Sequence, residues 1–208
     1  MSEPSPWPQI HAERRALVAD LEPLAAERWQ TASLCEGWTV HQVLGHITAT
    51  ARTTTPGFFV NMAKAGFRFN RMIAAGVERE SSSTPQQTLD GLRGELDATV
   101  HPPGPMDTWL GEIVVHSEDI RRPLGIAHEF PPEVLTRVAT FYTKSNAIIG
   151  GRDRAKGLTL KATDAEWTAG SGPEVSGPLL SLVLALTGRS AALADLSGPG
   201  VEELRTRA

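Results

Sequence analysis

Apolar residues recur at helical spacing through most of the first 150 positions. Ile10, Leu17, Leu21, Leu24 and Ala25 share one side of a wheel drawn over residues 9–30, with charges opposite. Pro23 falls inside that segment and is expected to kink it. Thr39 reads as an N-cap, with Gln42 completing a capping box, and Val40, Val43, Leu44 and Ile47 form the stripe of a second helix to about Arg52. Residues 56–76 are apolar but carry Lys64, Arg68 and Arg71. The loop at 81–85 ends in an N-cap with Pro85 at the first helical position, and a helix follows to about Val100. His101–Pro105 stops it. A further helix spans about Met106 to Arg122, closed by Pro123 to Gly125. The next runs from Pro131–Glu133 through Val134, Val138, Phe141 and Tyr142 to Gly150–Gly151.

After Gly157 the pattern changes. Leu158 to Thr163 alternates like a strand, Asp164–Glu166 is a turn, and Trp167–Gly170 is a return strand. Gly177–Pro178 opens an apolar helix stopped by Gly188, and residues 201–207 form a short terminal helix. The pattern predicts a mainly α protein: a helical bundle over residues 1–150 and a small α+β module over residues 157–208.

The 208 residues are 40% hydrophobic, enough for one substantial core, and the net charge of −4 comes without any basic run. That excludes a nucleic-acid footprint. No apolar run approaches a membrane span, and Pro4, Pro6 and Pro8 interrupt the start where a signal peptide would lie, so a soluble, cytoplasmic protein is expected. The single cysteine, Cys35, rules out an internal disulfide and reads as a small buried hydrophobe, not a nucleophile.

Candidate chemistry lies in the segment 111–119. On a helix, Glu112 and His116 stand four positions apart on one face, and Asp119 follows three further on. A carboxylate and an imidazole on neighbouring turns suit a divalent transition metal. The same pair also occurs as a plain solvated contact, so a third ligand decides. His46 borders the apolar stripe of the second helix and points inward or to its edge, as a ligand or as a core histidine bonded to a carbonyl. His41, on a different face, is expected to be solvated.

These residues resemble a known family. Leu34-Cys35-Glu36-Gly37-Trp38-Thr39-Val40 followed by His46 resembles the second-helix motif of DinB-like bundles, and more closely that of the mycothiol-dependent maleylpyruvate isomerase family. Glu112 to Arg121 resembles that family's second metal motif, and the segments 162–167, 177–178, 188–189 and 196–201 resemble its short C-terminal module. The resemblance implies an up-and-down four-helix bundle with an extra helical segment. It also implies one divalent metal held by His46, Glu112 and His116. Two imidazoles and a carboxylate suit zinc and leave a coordination position open. Asp119 and Arg121 are the catalytic candidates. Asp119 is read as orienting an imidazole or a bound water, with an ion pair to Arg121 or Arg122 as the plainer alternative.

The resemblance further implies mycothiol as thiol co-substrate. A zinc-bound thiol is deprotonated at neutral pH, which suits transfer to a small electrophile or isomerisation by addition and release. The tail looks shorter than a full C-terminal domain, which argues against maleylpyruvate itself as the substrate. The expected partners are mycothiol and a small electrophilic molecule, with the chain a monomer or homodimer. A hydrolase of the same fold and a non-catalytic, stress-associated metal-binding protein are the rivals. Phe58, Phe59, Met62, Phe67, Phe69, Met72 and Ile73 are expected either to line a substrate pocket or to pack as a core stripe. Arg189 either reaches toward the site or binds helix-end carbonyls.

Overall fold

The computed structural model describes residues 4–146 and 149–207. The chain divides into two compact units, Met1–His128 and Glu129–Ala208. The first is helical: α1 (Trp7–Leu21), α2 (Val40–Arg52), α3 (Thr55–Lys64), α4 (Phe69–Ser81), α5 (Pro85–Arg93) and α6 (Met106–Leu124). Helices α1, α2, α5 and α6 pack in a ring, α1 on α6, α6 on α2, α2 on α5 and α5 on α1, which makes a four-helix bundle. Its core is built by Ile10, Leu17, Leu21, Val43, Leu44, Ile47, Leu89, Leu92, Leu110 and Ile113, all essentially without solvent exposure. Helix α4 packs along α2 and carries α3. No helix among the described residues is long and apolar enough to cross a membrane.

The local signals explain most boundaries. Thr39 caps α2, its hydroxyl accepting from the Gln42 amide while the Gln42 side chain accepts from the Thr39 amide. Thr84 and Gln87 repeat the device at α5. Gly125 ends α6 in the left-handed conformation, φ +65°. Pro23 does not kink a long first helix; α1 stops at Leu21 and a 3-10 turn follows at Ala26–Gln30. Helix α5 ends at Arg93, not near Val100, because Gly91 and Gly94 weaken it and the next carbonyls serve another donor. The Arg14 guanidinium bonds the carbonyls of Glu95 and Ala98 at 2.9 and 2.8 Å.

Residues 56–76 form neither a core stripe nor a single helix. Gly66 and Phe67 both adopt positive φ and break the segment into α3 and α4. None of the residues of α3 is fully buried, and Phe59 and Phe67 are 59% and 80% exposed.

The second unit holds α7 (Pro132–Lys144), α8 (Gly151–Ala155), β1 (Thr159–Ala162), β2 (Thr168–Gly170), β3 (Glu174–Gly177), α9 (Leu179–Leu186) and α10 (Val201–Arg205). Helix α7, expected in the bundle, packs its buried face of Val134, Val138, Ala139 and Tyr142 on α9 of its own unit. It ends at Lys144, short of Gly150; positions 147–148 of its expected course lie outside the described residues. A Cβ on Gly151 would lie 2.7 Å from the Tyr142 carbonyl, so only glycine lets α8 start against α7. The predicted hairpin forms, β1 antiparallel to β2, with Leu160 opposite Ala169. A third strand, β3, pairs parallel to β1 on its other edge, giving the order β2-β1-β3. Leu160, Ala162 and Val175 cover α9, whose eight residues are almost all buried. Hydrophobic residues all round a helix require such enclosure.

Candidate metal centre

Helices α2 and α6 bring His46, Glu112 and His116 together. One ligand atom of each lies within 4.8 Å of the other two. Nε2 of His46 is 3.8 Å from Oε1 of Glu112. The two imidazoles meet edge to face with ring centroids 4.7 Å apart, and Trp38 covers the His46 ring at 5.4 Å.

Glu112 is the unusual member. Its Oε1 is buried and has no hydrogen-bond partner. Burial pushes its carboxyl pKa upward, opposed by the nearby His116, by Arg14 and by a hydrogen bond from Thr50. A buried carboxylate oxygen without a donor is costly unless something else satisfies it. The donor set of two imidazoles and one carboxylate is what a divalent cation of the zinc type takes, so the residues fit such an ion.

Asp119 stands behind His116. Its Oδ2 is 2.8 Å from Nδ1 of His116, and the side chain has no solvent exposure. The position three residues on along α6 allows this contact. Arg121, the other catalytic candidate, pairs with carboxylates of α1. Five residues past His116 it has turned about 140° around the helix. There its Nε bonds Oδ2 of Asp20 on α1 at 2.7 Å, and its Nη1 lies 3.9 Å from Oε2 of Glu13. Glu13 in turn contacts Nε2 of His128 at 2.8 Å. Arg122 lies near Glu118 at 3.5 Å.

With this geometry the wider likenesses have a structural meaning. The family model for the N-terminal domain of mycothiol maleylpyruvate isomerase matches residues 10–121, more than half of the chain. The chain belongs to the mycothiol maleylpyruvate isomerase N-terminal domain family. The matched span takes in His46, Glu112, His116 and Asp119. Two solved structures share its fold: the mycothiol-dependent maleylpyruvate isomerase and a histidine-to-alanine variant of it. The variant aligns with TM-score 0.61 and 16% identity, the other with 0.58 and 18%, each over 93% of both chains. No curated protein matches significantly.

Within this family member, three further buried or half-buried residues carried weaker signals in the sequence. Cys35, read as a small buried hydrophobe, is half-buried, and its Sγ lies 3.0 Å from Oδ2 of Asp119. Its only prior signal was adjacency to the Gly37-Trp38-Thr39 cap. Arg14 interrupts the apolar series Ile10, Leu17, Leu21, and a charge on that stripe points to a buried partner. Burial lowers its pKa, against the attraction of Glu112 and Glu95. His41 is not solvated: it is buried, with Nε2 2.9 Å from the Thr88 hydroxyl. In the other unit Arg189 donates to the Thr187 carbonyl at 2.8 Å, the helix-end role.

Proposed function

We propose that the protein holds one divalent metal, zinc by its donor set, at His46, Glu112 and His116. With it the protein would activate mycothiol for transfer to, or isomerisation of, a small electrophilic substrate. The observation that carries this reading is the buried, unpartnered Oε1 of Glu112 facing an imidazole, in a chain of the mycothiol maleylpyruvate isomerase N-terminal domain family. When bound, the metal would supply Lewis acidity and stabilise a thiolate at neutral pH.

The chain's own residues do the rest. His46 and His116 offer neutral nitrogens. Glu112 offers a negative charge whose burial makes protonation the competing state. Asp119 holds Nδ1 of His116, which fixes the ring and leaves Nε2 as the ligating nitrogen. Trp38 covers His46 and limits water on that side. Arg121 joins α6 to α1 through Asp20.

The test is calorimetric titration of metal-loaded and metal-free protein with mycothiol, in buffers of different ionisation enthalpy. Metal-dependent binding with release of a proton is expected. Equal binding with and without metal, or none, removes the thiol reading. A hydrolase, or a metal-binding protein without catalysis, would then take its place.

A further inference from the structure

The segment between the 3-10 turn and α2 is a strap folded against α6. Ala32 bridges Thr39, the Ser33 amide donates to the Trp38 carbonyl at 2.9 Å, and Gly37 turns the chain at φ +78°. The Ser33 hydroxyl lies 2.8 Å from the Trp38 carbonyl and accepts from the Cys35 amide at 3.1 Å. Adjacent residues of this strap then grip one residue of α6. The Leu34 amide donates to the Asp119 carbonyl at 3.1 Å, and the Cys35 thiol donates to Oδ2 of Asp119 at 3.0 Å. That same oxygen faces Nδ1 of His116 at 2.8 Å, and the sulfur itself is 3.6 Å from Nδ1.

We infer that Cys35 is a positioning residue that acts on His116 through Asp119, an inference that rests on His116 being a metal ligand. Asp119 is fully buried, and its Oδ2 receives two donors, one from the strap and one from its own helix. Two donors on one oxygen fix the carboxylate's rotation, and a carboxylate fixed in that way holds the imidazole in one tautomer and one plane. Without the thiol, Oδ2 of Asp119 loses a donor that helps to fix the carboxylate's rotation. The strap's internal hydrogen bonds hold Cys35 at this point, which a cysteine serving only as apolar filler would not require.

The experiment is zinc affinity, by competition with a chromophoric chelator, for wild type, Cys35→Ala, Cys35→Ser, Asp119→Ala and the Cys35→Ala/Asp119→Ala double variant. Thermal unfolding confirms that each is folded. Asp119→Ala is expected to weaken zinc binding about 10–100-fold, as for a group bonded to a ligand. Cys35→Ala is expected to weaken it several-fold, and Cys35→Ser, which keeps a donor, to recover most of that loss. In the Asp119→Ala background, Cys35→Ala should have no further effect, because the path runs through the carboxylate. Wild-type affinity in Cys35→Ala, or losses that simply add in the double variant, overturns the inference while leaving the metal site standing. A wild type that binds no zinc overturns the metal reading and this inference with it.

Discussion

Nε2 of His46 on α2 and Oε1 of Glu112 on α6 face each other at 3.8 Å, and that oxygen has no hydrogen-bond donor. Two helices thus meet around a buried carboxylate whose Oε1 has no donor among the described residues. Loss of any one donor should therefore be felt by an ion more than by the fold. His46→Ala and His116→Ala are each expected to cut bound metal, measured by elemental analysis after dialysis. The loss should exceed the about 10–100-fold effect of a residue that only orients a ligand. Unchanged metal content in both variants would remove the site.

The grouping of His46, Glu112 and His116 was legible in the sequence because helical periodicity converts spacing into a shared face and the two motifs resemble those of a known family. Glu112 and His116 needed only a helix, and the capping box at Thr39 and Gln42 located the start of the helix that carries His46. What could not be read was set by contacts between distant segments. Arg121 belongs to the same motif as His116, but its partner Asp20 sits on α1, and only the packed bundle reveals the pair. Cys35 precedes a helix cap, and its neighbour Asp119 is known only once the strap folds on α6. The break at Gly66 and Phe67 was hidden for a different reason. A phenylalanine in the left-handed region is unusual, and neither Gly66 nor the apolar residues around it singles out that turn.

Arg121 has no solvent exposure and joins Asp20 and Glu13 of α1 to α6. Replacing it by methionine fills much of the volume but leaves those carboxylates without its charge. Removing one partner of a fully buried pair costs about 3–5 kcal/mol; Asp20 is partly exposed and Glu13 keeps His128, so Arg121→Met should lower the urea midpoint by less than that, but measurably. Metal bound per folded molecule should stay unchanged. A variant of wild-type stability with lost turnover would instead mark Arg121 as catalytic.

Phe67 adopts φ +59° while 80% exposed. The left-handed region costs a residue with a bulky side chain about 1–2 kcal/mol, and asparagine tolerates it better. The exposed ring has little burial to lose. Phe67→Asn is therefore expected to raise stability, by roughly 1 kcal/mol or less, in urea unfolding. A fall in stability would mean that the ring makes packing contacts worth more than the relief of its backbone.

His41 offers a pH dependence separate from the metal cluster. The Thr88 hydroxyl donates to the Glu80 carbonyl at 2.8 Å, so its oxygen accepts from Nε2–H of His41 at 2.9 Å. Burial holds the imidazole neutral and pushes its pKa below the ordinary 6.5. Between the folded pKa and that ordinary value the unfolded chain binds more protons than the native one. The stability that His41 contributes is therefore present above about pH 6.5 and is lost as the pH falls through the folded pKa. One proton sets a ceiling of about 1.4 kcal/mol per pH unit on this slope. His41→Gln keeps a donor for Thr88 and removes the titration. In urea unfolding followed from about pH 7 down to about pH 5, the variant should lose stability less steeply than wild type, and the difference isolates His41 from the other histidines. Parallel slopes would show that His41 titrates alike in both states and that its burial carries no pH dependence.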